Sequence, residues 1–156
     1  MATIPLPPDF KEFLQFLNSH QVDYLLIGGW AVAYHGYPRA TGDMDIWVDI
    51  SQENAERLVK VLADFGFGSN TGTSTALFLE PGKIIRMGNP PLRIEVLTSI
   101  SGVEFQDCYS RRIVAQLDGL PIPVIALADL KTNKLASGRT KDRADLENLP
   151  PTPSGP

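Results

Sequence analysis

A glycine pair, Gly28-Gly29, stands fourteen residues ahead of two carboxylates, Asp43 and Asp45, that are separated by a single residue. No other stretch limits the fold as much. Tyr24-Leu25-Leu26-Ile27 reads as a short buried strand. The glycines turn it into a helix starting near Trp30, whose free N–H groups would face an anion. A second strand is expected over 43–50. On it, carboxylates at i and i+2 share one face about 6 to 7 Å apart along the backbone, close enough to share divalent cations. An anion site and a cation site should therefore lie side by side.

Asp-x-Asp alone fits any strand with one wet face. Its setting here is more specific, because Arg39 and Thr41 precede it and the apolar Ile46-Trp47-Val48 follows. Glu95 supplies a third carboxylate. In Arg93-Ile94-Glu95-Val96-Leu97 its neighbours face a core while it points to the opposite side, so a strand next to the Asp43 strand would bring it to the same ions. Its plainer role would be to pair with Arg93 or a neighbouring strand. Three carboxylates would hold two Mg²⁺ ions by oxygen ligation and leave positions open for triphosphate oxygens and water.

The 156 residues suit one domain, 1–149, with a Pro-rich tail, 150–156, that cannot form a helix or central strand and is expected to be disordered. Hydrophobic residues at 43% and charged residues at 21% are a globular balance. A net charge of −4 argues against nucleic-acid binding driven by a broad basic face, although Lys131, Lys134, Arg139, Lys141 and Arg143 form a local cluster that could meet phosphate. Neither a leader nor an apolar run of membrane-spanning length is visible, so a cytoplasmic protein without membrane contact is expected. Cys108 is the one cysteine, which excludes an intramolecular disulfide and leaves no zinc-ligand set.

Along the chain, Asp9 with Glu12 predicts a capping box, and Phe10, Phe13, Leu14 and Leu17 follow as a core-facing helical stripe. Ser51 is placed as the N-cap of a helix carrying Ala55, Leu58, Val59 and Leu62, stopped by Gly66. The Gly/Ser/Thr/Asn-rich stretch from Gly66 to Thr75 is expected to be a mobile loop. Strands are predicted at 76–79, 84–87 and 92–97, the first two joined by Pro81-Gly82. A hairpin should turn at Asp118-Gly119, and helices should cover 127–137 and 140–149, the first ended by Gly138 and the second capped by Thr140. The sheet is therefore mixed and the class α/β (α+β).

In ordered combination, Gly28-Gly29, Ala33, His35-Gly36, Arg39, Thr41, Asp43-x-Asp45, Arg93-Ile94-Glu95-Val96-Leu97-Thr98, Leu130-Lys131, Lys134-Leu135 and Arg139-x-Lys141-Asp142-x-x-Asp145-Leu146 resemble the DNA polymerase beta-like nucleotidyltransferase superfamily. More narrowly they resemble its small branch related to AbiEii-type abortive-infection toxins. The likeness spans about residues 22 to 149.

That resemblance implies a minimal nucleotidyltransferase fold, a mixed sheet flanked by helices. It also implies transfer of NMP from an NTP to an acceptor hydroxyl with release of pyrophosphate. Carried over by position, Gly28 and Gly29 would hold phosphates, Asp43, Asp45 and Glu95 would bind Mg²⁺ or Mn²⁺, and Glu95 would be the candidate base. Lys134 would contact nucleotide phosphates, and Asp145, or alternatively Asp142, would position Lys134 or the acceptor. Glu95 stands where relatives often carry Asp. Arg39 and Thr41 would brace the Asp loop or touch phosphate. His35 would contact base or ribose, or be satisfied by backbone, and Trp30, Trp47, Tyr34 and Tyr37 would stack a base or pack the core. A toxin-like enzyme would modify tRNA or a protein and have a cognate antitoxin. The competing readings are a non-catalytic nucleotide-sensing or partner-binding module and an antibiotic nucleotidyltransferase.

Overall fold

The computed structural model describes residues 5–39, 41–66, 74–89 and 91–152. Helix α1 (Pro8–Ser19) leads into strand β1 (Tyr24–Ile27), helix α2 (Gly28–Tyr34), strand β2 (Asp43–Val48) and helix α3 (Gln52–Asp64). A 3₁₀ turn (Thr75–Phe78) precedes strands β3 (Ile84–Met87) and β4 (Arg93–Leu97). Helix α4 (Phe105–Ser110), the hairpin β5 (Ile113–Leu117) and β6 (Leu120–Val124), and helices α5 (Leu127–Ser137) and α6 (Thr140–Asn148) complete the chain.

The strands form one mixed sheet in the order β3-β4-β2-β1-β6-β5. Two parallel pairings, β2 with β4 and β1 with β6, sit among antiparallel ones. One face carries the core: Phe13, Leu14 and Leu17 of α1 and Leu58 and Val61 of α3 are buried together with Met44 and Ile46 of β2 and Ile94 and Val96 of β4. Alternation then sends Asp43, Asp45, Arg93 and Glu95 to the other face.

Several local expectations hold. The Ser51 side chain accepts the Asn54 N–H at 3.0 Å as the N-cap of α3. Asp118 and Gly119 both take positive φ, 51° and 80°, as a tight hairpin turn requires. Gly138 ends α5 at φ 67°.

Others are corrected. Helix α1 begins at Pro8 with Pro7 as N-cap and no side-chain cap, because proline at the first position presets the helical φ and places Asp9 inside the first turn. The expected strand over 76–79 is the 3₁₀ turn, in which Phe78 is buried and Leu77 is exposed. A four-residue apolar run does not distinguish the two periods, and β3 pairs with β4 instead. Helix α2 starts at Gly28, two residues before Trp30. The N-cap of α6 is Arg139, one residue ahead of Thr140. Helix α4 had no counterpart in the sequence reading; with only Phe105 and Cys108 buried, it shows no readable stripe. Most of the Gly66–Thr75 stretch expected to be a mobile loop lies outside the described residues, as do residues 153–156.

Candidate active site

The site grows from one row of the sheet. Ile27 of β1 is paired with Asp45 of β2, Asp45 with Glu95 of β4, and Glu95 with Arg86 of β3. Glu95 therefore shares its face with Asp43 and Asp45. The chain leaves β1 directly into Gly28, whose φ of 68° disfavours any side chain and whose missing Cβ leaves room for the Asp45 carboxylate. A Cβ on the buried Gly29 would meet the Thr41 hydroxyl. Thr41 in turn donates to the Asp43 carbonyl at 3.3 Å. The glycine pair thus lets helix α2 press against the carboxylate strand.

Roofing this row are α5 and α6, and the cleft between them and the sheet holds about 430 Å³. Gly28, Gly29, Asp43, Asp45, Glu95 and Lys134 all line it, together with Arg39, Thr41, Arg86, Arg139 and Lys141. A second lobe of about 300 Å³ continues past Glu95 toward Ile84, Leu97 and Asn133.

The three carboxylates have unequal partners. Arg93 donates to Asp43 at 3.2 and 3.4 Å, and Arg86 donates to Glu95 at 3.0 Å. Buried Asp45 Oδ1 has no hydrogen-bond partner among the described residues. Burial pushes the Asp45 carboxyl up to about 7, helped by the charge of Glu95, a hydrogen bond shared with it and the charge of Asp43, and opposed by Lys141. With the arginines drawing Asp43 and Glu95, no three His, Cys, Asp or Glu side chains among the described residues gather tightly enough to hold a metal ion as they stand. The donor set nevertheless suits a hard cation: it is all oxygen, and one buried oxygen lacks a partner.

Behind the carboxylates lies a satisfied ionic cluster. Lys134, at 4% side-chain exposure, donates to Asp142 at 3.1 Å and lies 3.0 Å from Asp145. Arg39 grips both Asp145 oxygens at 2.7 and 2.9 Å, and Arg139 grips both Asp142 oxygens at 2.8 and 3.2 Å. Burial alone would raise both carboxyls, but the hydrogen bonds from Arg139 and Lys134 to Asp142, and from Arg39 and Lys134 to Asp145, hold them below the usual range. Asp142 also accepts the Arg139 backbone N–H at 3.2 Å, which fixes the start of α6. Three cations face two carboxylates, so the cluster presents surplus positive charge to the cleft.

The remaining candidates fall outside the cleft. His35 donates to the Ile125 carbonyl at 2.7 Å, and burial lowers its pKa. Trp30 packs edge-on against Phe10, and Trp47 against Phe105. Lys131 donates to the Pro150 carbonyl. Arg86 and its place in the row escaped sequence reading, because only the β3–β4 register sets it opposite Glu95.

Comparison with known proteins identifies the family of the chain that carries this geometry. A family model described as aminoglycoside-2''-adenylyltransferase matches residues 9–149. The chain belongs to that family. None of the curated proteins compared with it matches.

Among solved structures, the fold is similar to that of a Thermotoga maritima protein described as a candidate nucleotidyltransferase, at 18% identity and TM-score 0.60 over 88% of each chain. A lincosamide antibiotic adenylyltransferase solved with lincomycin matches at 16% identity and TM-score 0.54, covering 94% of this chain and 98% of its own. An antigenic nucleotidyltransferase-like protein from Paracoccidioides brasiliensis matches at 16% identity and TM-score 0.52, covering 90% of this chain and 72% of its own. The chain thus has the nucleotidyltransferase fold, and its family places it in the nucleotidyltransferase reaction class. No helix among the described residues is long and apolar enough to cross a membrane.

Proposed function

We propose that this chain is a metal-dependent nucleotidyltransferase that moves NMP from an NTP to an acceptor hydroxyl. The observation that carries this reading is Asp45, whose buried Oδ1 has no partner and whose carboxyl rises to about 7 beside Glu95. A buried acid in this state is stabilised by an added cation. Asp43, Asp45 and Glu95 would hold Mg²⁺ or Mn²⁺, which when bound polarises the phosphoryl oxygens and lowers the pKa of the attacking hydroxyl.

The protein's own groups supply the rest. Gly28 and Gly29 line the cleft in which the triphosphate would lie, and the room their missing Cβ atoms leave is taken by Asp45 and Thr41. Arg139 and Lys141 line the cleft and offer positive charge to the leaving pyrophosphate. Lys134 acts from behind, because both carboxylates of the cluster already engage it; it holds Arg139 and the start of α6 in place through Asp142. Arg39 and Asp145 lock the loop that delivers Thr41 and Asp43. Glu95, next to Asp45 in the row, is the candidate base once the ions are in place.

For the acceptor, the likeness to abortive-infection toxins supports a hydroxyl on tRNA or a protein, with an antitoxin as partner. A second reading, a hydroxyl on a small antibiotic, is favoured by the family match and by the likeness to the lincosamide enzyme. One experiment addresses both. Labelled ATP, GTP, CTP and UTP are incubated with Mg²⁺ or Mn²⁺ and either cell RNA and protein or a panel of aminoglycosides and lincosamides, with Asp43→Ala and Asp45→Ala in parallel. Metal-dependent label on one acceptor class, lost in both variants, is expected. Equal labelling by the variants would reject the site, and NTP binding without labelling of any acceptor would favour the sensing module.

A further inference from the structure

We propose that Arg86 exchanges partners during the catalytic cycle: it neutralises Glu95 until a divalent cation arrives, and its displaced guanidinium then binds nucleotide phosphate. The inference rests on the metal-dependent reading above and adds a residue that neither the motif pattern nor the family match singles out.

The two arginines that draw the site's carboxylates differ in position. Arg93 holds Asp43 from the neighbouring position on β4, and its side chain lines neither lobe of the cleft. Arg86 holds Glu95 from the edge strand β3, stays 57% exposed, and lines both lobes. Its bond to Glu95 Oε1 is 3.0 Å and uses Nε. The two Nη groups have no bond to Glu95 among the described residues, so the fork faces the cleft only partly used.

A guanidinium and a divalent cation compete for the same carboxylate, since each supplies the charge that the oxygens need. The Glu95 side chain is only 16% exposed, so an ion that bound it would meet the arginine directly. Once displaced, the Arg86 side chain remains anchored at the junction of the two lobes. A planar five-donor fork there suits two oxygens of a phosphate chain, and a lysine would reproduce the charge without the fork. Arg86 is thereby a placeholder for the cation before binding and a phosphate ligand afterwards.

The test uses the full chain and reads binding rather than turnover. Mn²⁺ alone is titrated by electron paramagnetic resonance, and α,β-methylene-ATP is titrated by calorimetry at saturating Mn²⁺, on the wild type, Arg86→Gln and Arg86→Lys. For Arg86→Gln, Mn²⁺ binding tightens about tenfold while the nucleotide analogue binds about tenfold more weakly. For Arg86→Lys, Mn²⁺ binds as in the wild type and the analogue still binds more weakly. If Arg86→Gln leaves either affinity at the wild-type value while the wild type binds both ligands, the exchange is overturned and the metal-dependent reading stands. If the wild type binds no Mn²⁺ with or without the analogue, both are overturned.

Discussion

Two groups of charges share the polar side of this sheet and are finished to different degrees. In the cluster of Lys134, Asp142, Asp145, Arg39 and Arg139, both carboxylates accept two or more charged donors, and both are pulled below the usual carboxylate range. In the row of Asp43, Asp45 and Glu95, which lines the same cleft, two carboxylates rely on half-exposed arginines and the third keeps a buried oxygen without a partner among the described residues. The chain can satisfy buried acids completely and does so in the cluster. The incomplete set opposite Gly28 therefore reads as a place for a charge that the polypeptide does not carry. On the function proposed above, the cluster is the scaffold and the row is the receptor.

The sharpest way to break this comparison is to remove one member from each side. Asp43→Ala or Asp45→Ala should lower NMP transfer by about a thousandfold or more, measured with radiolabelled NTP, because charge stabilisation carries most of a phosphoryl-transfer barrier. Neither change should lower thermal stability. Lys134→Met should do the reverse in kind: it strips one donor from two buried acids and should cost about 3 kcal/mol of stability, read by urea unfolding. If the two sides responded alike, the distinction between scaffold and receptor would be lost.

The next prediction concerns pH. The Asp45 carboxyl is raised from its ordinary 3.8 to about 7. Between those values the folded chain keeps a proton that the unfolded chain has released, so the Asp45 contribution to metal-free stability is full below about pH 4 and is lost as pH rises through 7. Asp45→Asn should flatten that slope and add about 2 kcal/mol at pH 8. Thermal melts from pH 5 to 8 check it; a slope that survives the substitution would assign it to another group. At the small end, Ser51→Ala removes a cap remote from both clusters and should cost about 1 kcal/mol with activity unchanged.

Much of the scaffold is written in local pattern. The stripes of α1 and α3, the buried run of β1 and the Asp118-Gly119 turn each follow from periodicity or a φ requirement within a few residues. The acids of the row were legible as well, since alternation in Arg93 to Leu97 fixes which face Glu95 takes. What escaped depends on contacts distant in sequence. Arg86 matters only because β3 pairs with β4 in the register that sets it beside Glu95, and Asp145 binds Arg39 from the far end of the chain. Lys134 is expected from the resemblance to touch phosphate, with Asp145 or Asp142 positioning it; both acids do engage it, but packing of α5 against α6 buries its ammonium between them, which no local pattern shows. Short elements were lost for a different reason: Phe78 and the Phe105/Cys108 pair offer too few buried positions to reveal a period.

The central claim is that Asp43, Asp45 and Glu95 form one cation site opposite the Gly28 bend. Anomalous diffraction from crystals soaked with Mn²⁺ and α,β-methylene-ATP tests it most directly. The account predicts a manganese peak bonded to Asp45 Oδ1, with Asp43 and Glu95 turned in from their arginines and phosphate against Gly28 and Gly29. Manganese bound elsewhere, with Asp45 Oδ1 still unpartnered and both arginine pairs intact, would contradict it.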